Sequence, residues 1–214
     1  MEHYLLTAKL LLRGCGYTLF ITAISLVCGF VLGWMIGTIN SRYFPCRITK
    51  FLGNFYVMAV RGTPLFIQIL IVYFGLPSLI KVNLSPLVAG LIALTLNSAA
   101  YLAENVRGGI NTLPLQQWEA AKVLGYKGPQ IFLHILYPQV FKNILPSITN
   151  EFVSLIKESS ILMVVGVPEL TKVTKDIVAR ELNPMKMYLI CAGLYLMMTS
   201  AFSYCARLSE KETS

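Results

Sequence analysis

The chain is 214 residues long, 56% hydrophobic and only 13% charged, with a net charge of +8; its mean hydropathy is +0.65 and its isoelectric point is near 9.3. A soluble domain carries roughly 25% charged residues, so these totals exclude an ordinary soluble enzyme. They also turn the surplus of basic residues towards lipid headgroups rather than nucleic acid.

Three stretches, 14–41, 82–103 and 187–206, contain no charge. Each is long enough to cross a hydrocarbon layer of about 30 Å at about 1.5 Å per helical residue. Two further stretches are apolar with polar interruptions, which gives an all-α, polytopic helical membrane protein. Its five spans lie near 16–39, 51–80, 84–103, 144–168 and 187–206, in a single transmembrane unit covering 1–214.

Residues 2–13 alternate apolar and polar positions as a short interfacial helix would, with Lys9 and Arg13 at the headgroups. The N-terminus lacks a basic n-region, and Arg13 beside Cys15 argues against a lipoprotein cleavage site, so the first span is expected to be its own insertion signal. In that span Gly29, Gly33 and Gly37 recur every four residues and offer one face for close helix packing. The loop that follows carries Arg42, Arg47 and Lys50 without an acid, whereas 76–86 carries Lys81 alone. The bias puts the first loop in the cytoplasm, the N-terminus outside and the C-terminus inside.

The second span is interrupted by Arg61-Gly62-Thr63-Pro64. Proline removes a backbone donor and kinks the helix, and an arginine at that depth needs partners inside the protein. Arg61 either attracts a carboxylate or ties the carbonyls freed at the kink, and the second role is the expected one. The third span holds Asn97-Ser98 near its middle and ends at Glu104 and Arg107, spaced to pair across one turn. The fourth contains Glu151, Lys157 and Glu158. A charge at bilayer centre costs roughly 2.5–3.5 kcal/mol on insertion scales, so these three imply a wet or protein-lined interior, with both carboxylates on one helix face. Glu151, Glu158 and Lys157, with Asn97 and Gln68 from neighbouring helices, are the expected substrate-path residues. Residues 171–186 read as a charged external loop and 207–214 as a polar tail. Cys28, Cys191 and Cys205 fall in or at the edge of spans and form no CxxC pair, which suits small apolar fillers.

Residues 108–143 are too polar to cross. Leu115 to Leu124 reads as a short amphipathic helix, Gly125 as its left-handed cap and Pro129 as the start of a second helix. Such a corner either lies on the membrane surface or is offered to a soluble partner, with Trp118 filling a pocket there and Glu119 accepting a hydrogen bond.

Glu119-Ala120-Ala121, Gly125, Ile135 and Pro138 resemble the EAA motif of permease subunits of ATP-binding-cassette importers, with Tyr137 standing where that family usually has leucine. Arg61-Gly62-Thr63-Pro64-Leu65 with Gln68, Leu96 to Tyr101 with Glu104, and Leu155 to Ser160 are similar to the polar amino-acid branch, which includes histidine, glutamine and arginine permeases; Glu158 stands where that branch usually has Asp or Asn. The resemblance implies a type I importer fold in a bacterial inner membrane. It also implies a second permease copy or sister, an ATPase subunit dimer that carries ATP and Mg, and an extracytoplasmic solute-binding protein. The loop 115–138 would dock on the ATPase through Glu119, Ala120, Ala121, Gly125 and Pro138.

No GxxxxGK[ST] phosphate loop occurs in the chain, so no cofactor of its own is expected. The rival class is an ATP-independent channel or secondary carrier for a small polar solute. An intramembrane enzyme has little to work with, because His3 and His134 lack a second ligand at metal-binding spacing and no GxSxG nucleophile occurs.

Overall fold

The computed structural model describes residues 2–44 and 46–213, and among them every regular element is helical. The chain begins with one continuous helix, α1 (Glu2–Asn40), so residues 2–13 are not a separate interfacial helix as expected; they extend the first span beyond the bilayer. At about 1.5 Å per residue α1 is about 58 Å long, nearly twice the hydrocarbon thickness. Its projecting end is held by α9 (Leu170–Glu181): the Leu170 amide donates to Thr18 Oγ1 (3.2 Å), Thr7 Oγ1 donates to Glu181 (3.0 Å), and Gly14 lies against the Leu170 backbone.

The glycine face of α1 meets α5 (Pro86–Thr112) as the four-residue spacing predicts. A Cβ on Gly33 would come within 2.8 Å of both Ala99 O and Leu102 Cβ, and one on Gly37 within 2.5 Å of Ala103 O. Backbone meets backbone along this seam, and α5 buries Ala93, Leu94, Ala99, Ala100, Leu102 and Ala103 along its middle.

The second span is not a kinked helix but a broken one. Helix α2 (Arg47–Arg61) and the segment from α3 (Leu65–Leu70) through a π-turn (Ile71–Gly75) to α4 (Leu76–Ile80) meet at 106°. Among the described residues three helices, α1, α5 and α10 (Pro184–Thr213), are long and apolar enough to cross a membrane, and the bent pair brings the number to four when it is counted as one span. The expected span 144–168 is realised as α8 (Tyr137–Glu158), continued by a 3-10 turn (Ser159–Val165), and it is not among the helices that are long and apolar enough to cross.

Two short helices, α6 (Leu115–Val123) and α7 (Gly128–Ile131), lie between α5 and α8. They share one end of the molecule with the loop after α1, while the N-terminal turns of α1 and all of α9 lie at the other.

Candidate functional site

The corner between α6 and α7 is built by local chemistry. Gly125 sits at φ +84°, its amide donates to Lys122 O (3.0 Å), and the Tyr126 amide reaches back to Ala121 O (3.0 Å). This is the glycine-capped helix end expected from the sequence. The Lys127 amide then donates to Gln130 Oε1 (2.8 Å), and Pro129 stands in the first turn of α7, where a missing N–H is harmless.

Trp118 contradicts its expected role. It does not project towards a partner but is buried, stacked on Tyr43 at 4.6 Å and edge-on to Phe132 at 5.4 Å. An aromatic of this size gains most by leaving water, and the loop after α1 supplies the surface. That loop is fixed in turn: the Arg42 amide donates to Asn111 Oδ1 (3.0 Å), and its guanidinium donates to the Tyr43 hydroxyl (2.7 Å) and to Leu113 O. Tyr137, the departure from the family's usual leucine, packs on Trp34 at 5.0 Å and lies 3.1 Å from Thr38 Oγ1. The corner is thus fastened to the ends of α1 and α5 and to the start of α8. Its outer side is open, with Glu119 and Ala120 exposed beside Val123 (88%) and Leu124 (76%). Pro138 is exposed as well.

A polar cluster centres on the break. Gln68 Nε2 donates to Val60 O (2.7 Å), Thr63 O (3.1 Å) and Thr63 Oγ1 (3.0 Å), while its Oε1 accepts from Asn97 Nδ2 (3.0 Å). The structure therefore joins two of the expected path residues, and it gives Gln68 the carbonyl-tying role expected of Arg61. The Arg61 guanidinium lies instead over the Tyr101 ring, 5.2 Å from its centroid.

Glu151 is half-buried and faces Ser98, whose hydroxyl is buried without a hydrogen bond of normal length among the described residues. Glu158 is half-buried on the same helix face, and Lys157 beside it is exposed. Glu104 and Arg107 pair as their spacing predicts, with Arg107 Nε at 2.9 Å.

Sequence reasoning missed three contributors. They are Tyr43, the anchoring role of Arg42, and Glu169. Glu169 is fully buried as the N-cap of α9, accepting from the Thr171 amide (2.8 Å), the Lys172 amide (2.7 Å) and the Tyr195 hydroxyl (2.8 Å). Burial pushes its carboxyl above the usual range against the pull of those donors. Among the described residues His134 bonds only the backbone four residues earlier, at Gln130 O (3.0 Å), and no metal-ligating group forms; the His3 side chain lies outside them.

Helices throughout the described residues, a broken span with a polar cluster at the break and a two-helix corner fastened to the bundle at one end define a polytopic membrane transport subunit. The sequence profile described as the binding-protein-dependent transport system inner membrane component matches residues 29–210, and the chain belongs to that family.

Among its relatives, the Bacillus subtilis arginine transport system permease protein ArtQ is 34% identical over 207 residues, covering 94% of this chain and 91% of ArtQ. The putative glutamine transport system permease protein GlnP of Rickettsia conorii is 36% identical over 204 residues, covering 94% and 92%. A crystal structure of an amino acid ABC transporter with histidines superposes with a TM-score of 0.88 at 32% identity, over 99% of this chain and 97% of that one. A chain of the MetNI methionine ABC transporter shares the fold, with a TM-score of 0.84 at 19% identity over 97% of each chain.

Proposed function

We propose that the whole chain, 1–214, is the permease subunit of an ATP-driven importer that carries a polar amino acid across a bacterial inner membrane. The corner at 115–138 is the part gripped from the cytosol by a separate ATPase subunit. One observation carries this reading: the corner is rigid within, fastened through Trp118 and Tyr43 to the spanning helices, and open without, where Glu119, Ala120, Val123 and Leu124 present a docking face. Ala121 lies on its inner face and Gly125 makes its turn, so the motif divides into residues that build the corner and residues that meet a partner.

Force applied there reaches α1, α5 and α8 without being absorbed in a loop, which suits alternating access driven by closure of an ATPase dimer. The names of the arginine and glutamine relatives support the substrate class. In this arrangement ATP and Mg are held by the ATPase subunits, and the second permease is an identical copy or a sister. A solute-binding protein delivers from outside, the N-terminus is external and the C-terminus cytoplasmic. The bent pair counts as one crossing and α8 with its 3-10 continuation as another, making five. Glu151 and Glu158 supply acceptors for the ammonium end of the substrate, with Lys157, Asn97 and Gln68 shaping the path.

The experiment is reconstitution of the chain with its ATPase and binding protein in liposomes, scored for uptake of labelled arginine, histidine and glutamine. Uptake that needs ATP and is lost in Glu119→Lys is the expected result. Uptake without ATP, or side-specific labelling of a cysteine at 124 from the external face, overturns the reading.

A further inference from the structure

The corner between α6 and α7 also closes one end of a furrow. A cavity of about 800 Å³ is lined by Trp118 and Lys122 of α6, by Phe132 and Leu133 after α7, and by Thr38 and Tyr43 at the end of α1. A second cavity, of about 400 Å³, continues it along α1 past Val31, Trp34 and Met35, with Phe141 of α8 in its wall. Tyr137 lines both, and Thr38 stands one turn on from Trp34, so the two form one furrow between α1 and α8. From Phe30 to Thr38 it runs about 12 Å at about 1.5 Å per helical residue, close to half of a hydrocarbon layer of about 30 Å. That is the depth of one leaflet.

The chemistry of the walls sorts by depth. The inner part is walled by apolar and aromatic side chains, and Val31 and Met35 are more than half exposed there. Nearer the corner the hydroxyls are already matched: Thr38 Oγ1 donates to Trp34 O (2.8 Å) and lies 3.1 Å from the Tyr137 hydroxyl, and the Tyr43 hydroxyl accepts from Arg42 (2.7 Å). What is left over is a cation. Tyr43 and Trp118 are stacked on each other, so the Arg42 guanidinium, 4.8 Å over Tyr43, and the Lys122 ammonium, 5.4 Å over Trp118, take the two outer faces of the pair. Arg42 is spent on the Tyr43 hydroxyl and Leu113 O. Lys122, which lines the furrow, makes no hydrogen bond or ion pair among the described residues. The surrounding segments, 41–50 and 113–136, hold Arg42, Arg47, Lys50, Lys122 and Lys127 against Glu119 alone, a field that favours an anion.

We infer that the furrow between α1 and α8 holds one anionic phospholipid, its phosphate on Lys122 and an acyl chain against Val31, Trp34 and Phe141. An apolar slot one leaflet deep that ends at an aromatic pair and an unspent ammonium matches an amphiphile with a negative head, and basic pockets beside spanning helices take such headgroups. The bound lipid fills the space between the corner and α1. The assignment needs only that α1 crosses the bilayer, so it stands apart from the importer reading.

The test is native mass spectrometry of the full chain in mild detergent, titrated with dioleoyl phosphatidylglycerol and with dioleoyl phosphatidylcholine. The first phosphatidylglycerol should bind about fivefold tighter than the first phosphatidylcholine, the advantage of one basic residue at an anionic headgroup. Lys122→Gln should erase that preference by weakening phosphatidylglycerol alone, and Lys122→Arg should keep it. Val31→Trp, a larger ring at an exposed position in the furrow, should weaken the first lipid of either headgroup about threefold by occupying the acyl slot. Equal affinity for the two lipids in the parent chain, or an unchanged preference in Lys122→Gln, would leave an ordinary lipid annulus and overturn the inference, as would unchanged binding in Val31→Trp. Displacement of the lipid by glycerol phosphate would make Lys122 a bare anion site, and its release on adding the ATPase subunit would give this face to that protein; either result overturns the inference too. If Lys122→Gln fails to fold, the parent chain titrated at rising salt decides: the preference should fade as the contact is screened, and a preference indifferent to salt refutes it. ATP-driven uptake by a chain that shows no headgroup preference would sink this inference and leave the function proposed above standing.

Discussion

Helices α5 and α10 are equally plausible membrane spans by composition, yet 56% of the apolar window of α5 is buried and only 6% of that of α10. The difference lies in side-chain size. Helix α5 presents Ala89, Gly90, Ala93, Ala99, Ala100 and Ala103, which let neighbouring backbones approach, whereas α10 presents Leu189, Ile190, Leu196 and Met197 outward and touches the bundle along Met187, Cys191, Tyr195 and Met198. Hydropathy reports that a helix tolerates lipid. Small residues report that it is packed on by other helices.

The largest test of that contrast pairs two glycines. Gly33→Leu on the α1–α5 seam has only backbone and Cβ atoms to displace, so a loss of about 3 kcal/mol or more is expected, seen as aggregation in detergent and a collapsed thermal midpoint. Gly193→Leu in α10 has nothing within 4 Å, and the isolated chain should melt where the parent does. Equal damage from both would erase the distinction between core and skin, and damage confined to the assembled complex would identify α10 as a subunit seam.

Next comes Trp118→Ala, in the helix that follows α5. Emptying the stack on Tyr43 and Phe132 should cost about 3–5 kcal/mol and release the corner to proteolysis while the distal end of α5 stays protected. Gln68→Leu strips three donated hydrogen bonds from the break and leaves Asn97 unpaired, worth about 1–3 kcal/mol in thermal unfolding. Smallest is Gly125→Ala, an open position with only its positive φ at stake, for which roughly 1 kcal/mol is expected.

Much of this was legible in the sequence where chemistry is local. Gly125, Pro129 and the glycines at 29, 33 and 37 each do what their spacing and backbone freedom dictate. The direction of Trp118 was not legible, because an amphipathic helix of nine residues does not say which side finds a cover, and the cover is Tyr43, 75 positions earlier. The register after the corner was hidden too. Ile131, Leu136, Val140 and Ile144 are all buried, and the gap of five before the fours is absorbed by a π-turn (Phe132–Leu136) that no helical periodicity anticipates. The family motif marked Arg61 and Gln68 together, but which of them would serve the carbonyls depends on a 106° turn set by packing against Asn97 and the rest of α5.

That turn also has a metric consequence. Fifteen residues on each side supply about 45 Å of helix end to end if straight, but joined at 106° they reach only about 27 Å. The second crossing therefore fits a layer of about 30 Å while carrying half again as much chain as it needs. The surplus is spent as sideways excursion, and a side chain at the elbow stands well off the line that joins the two ends of the pair.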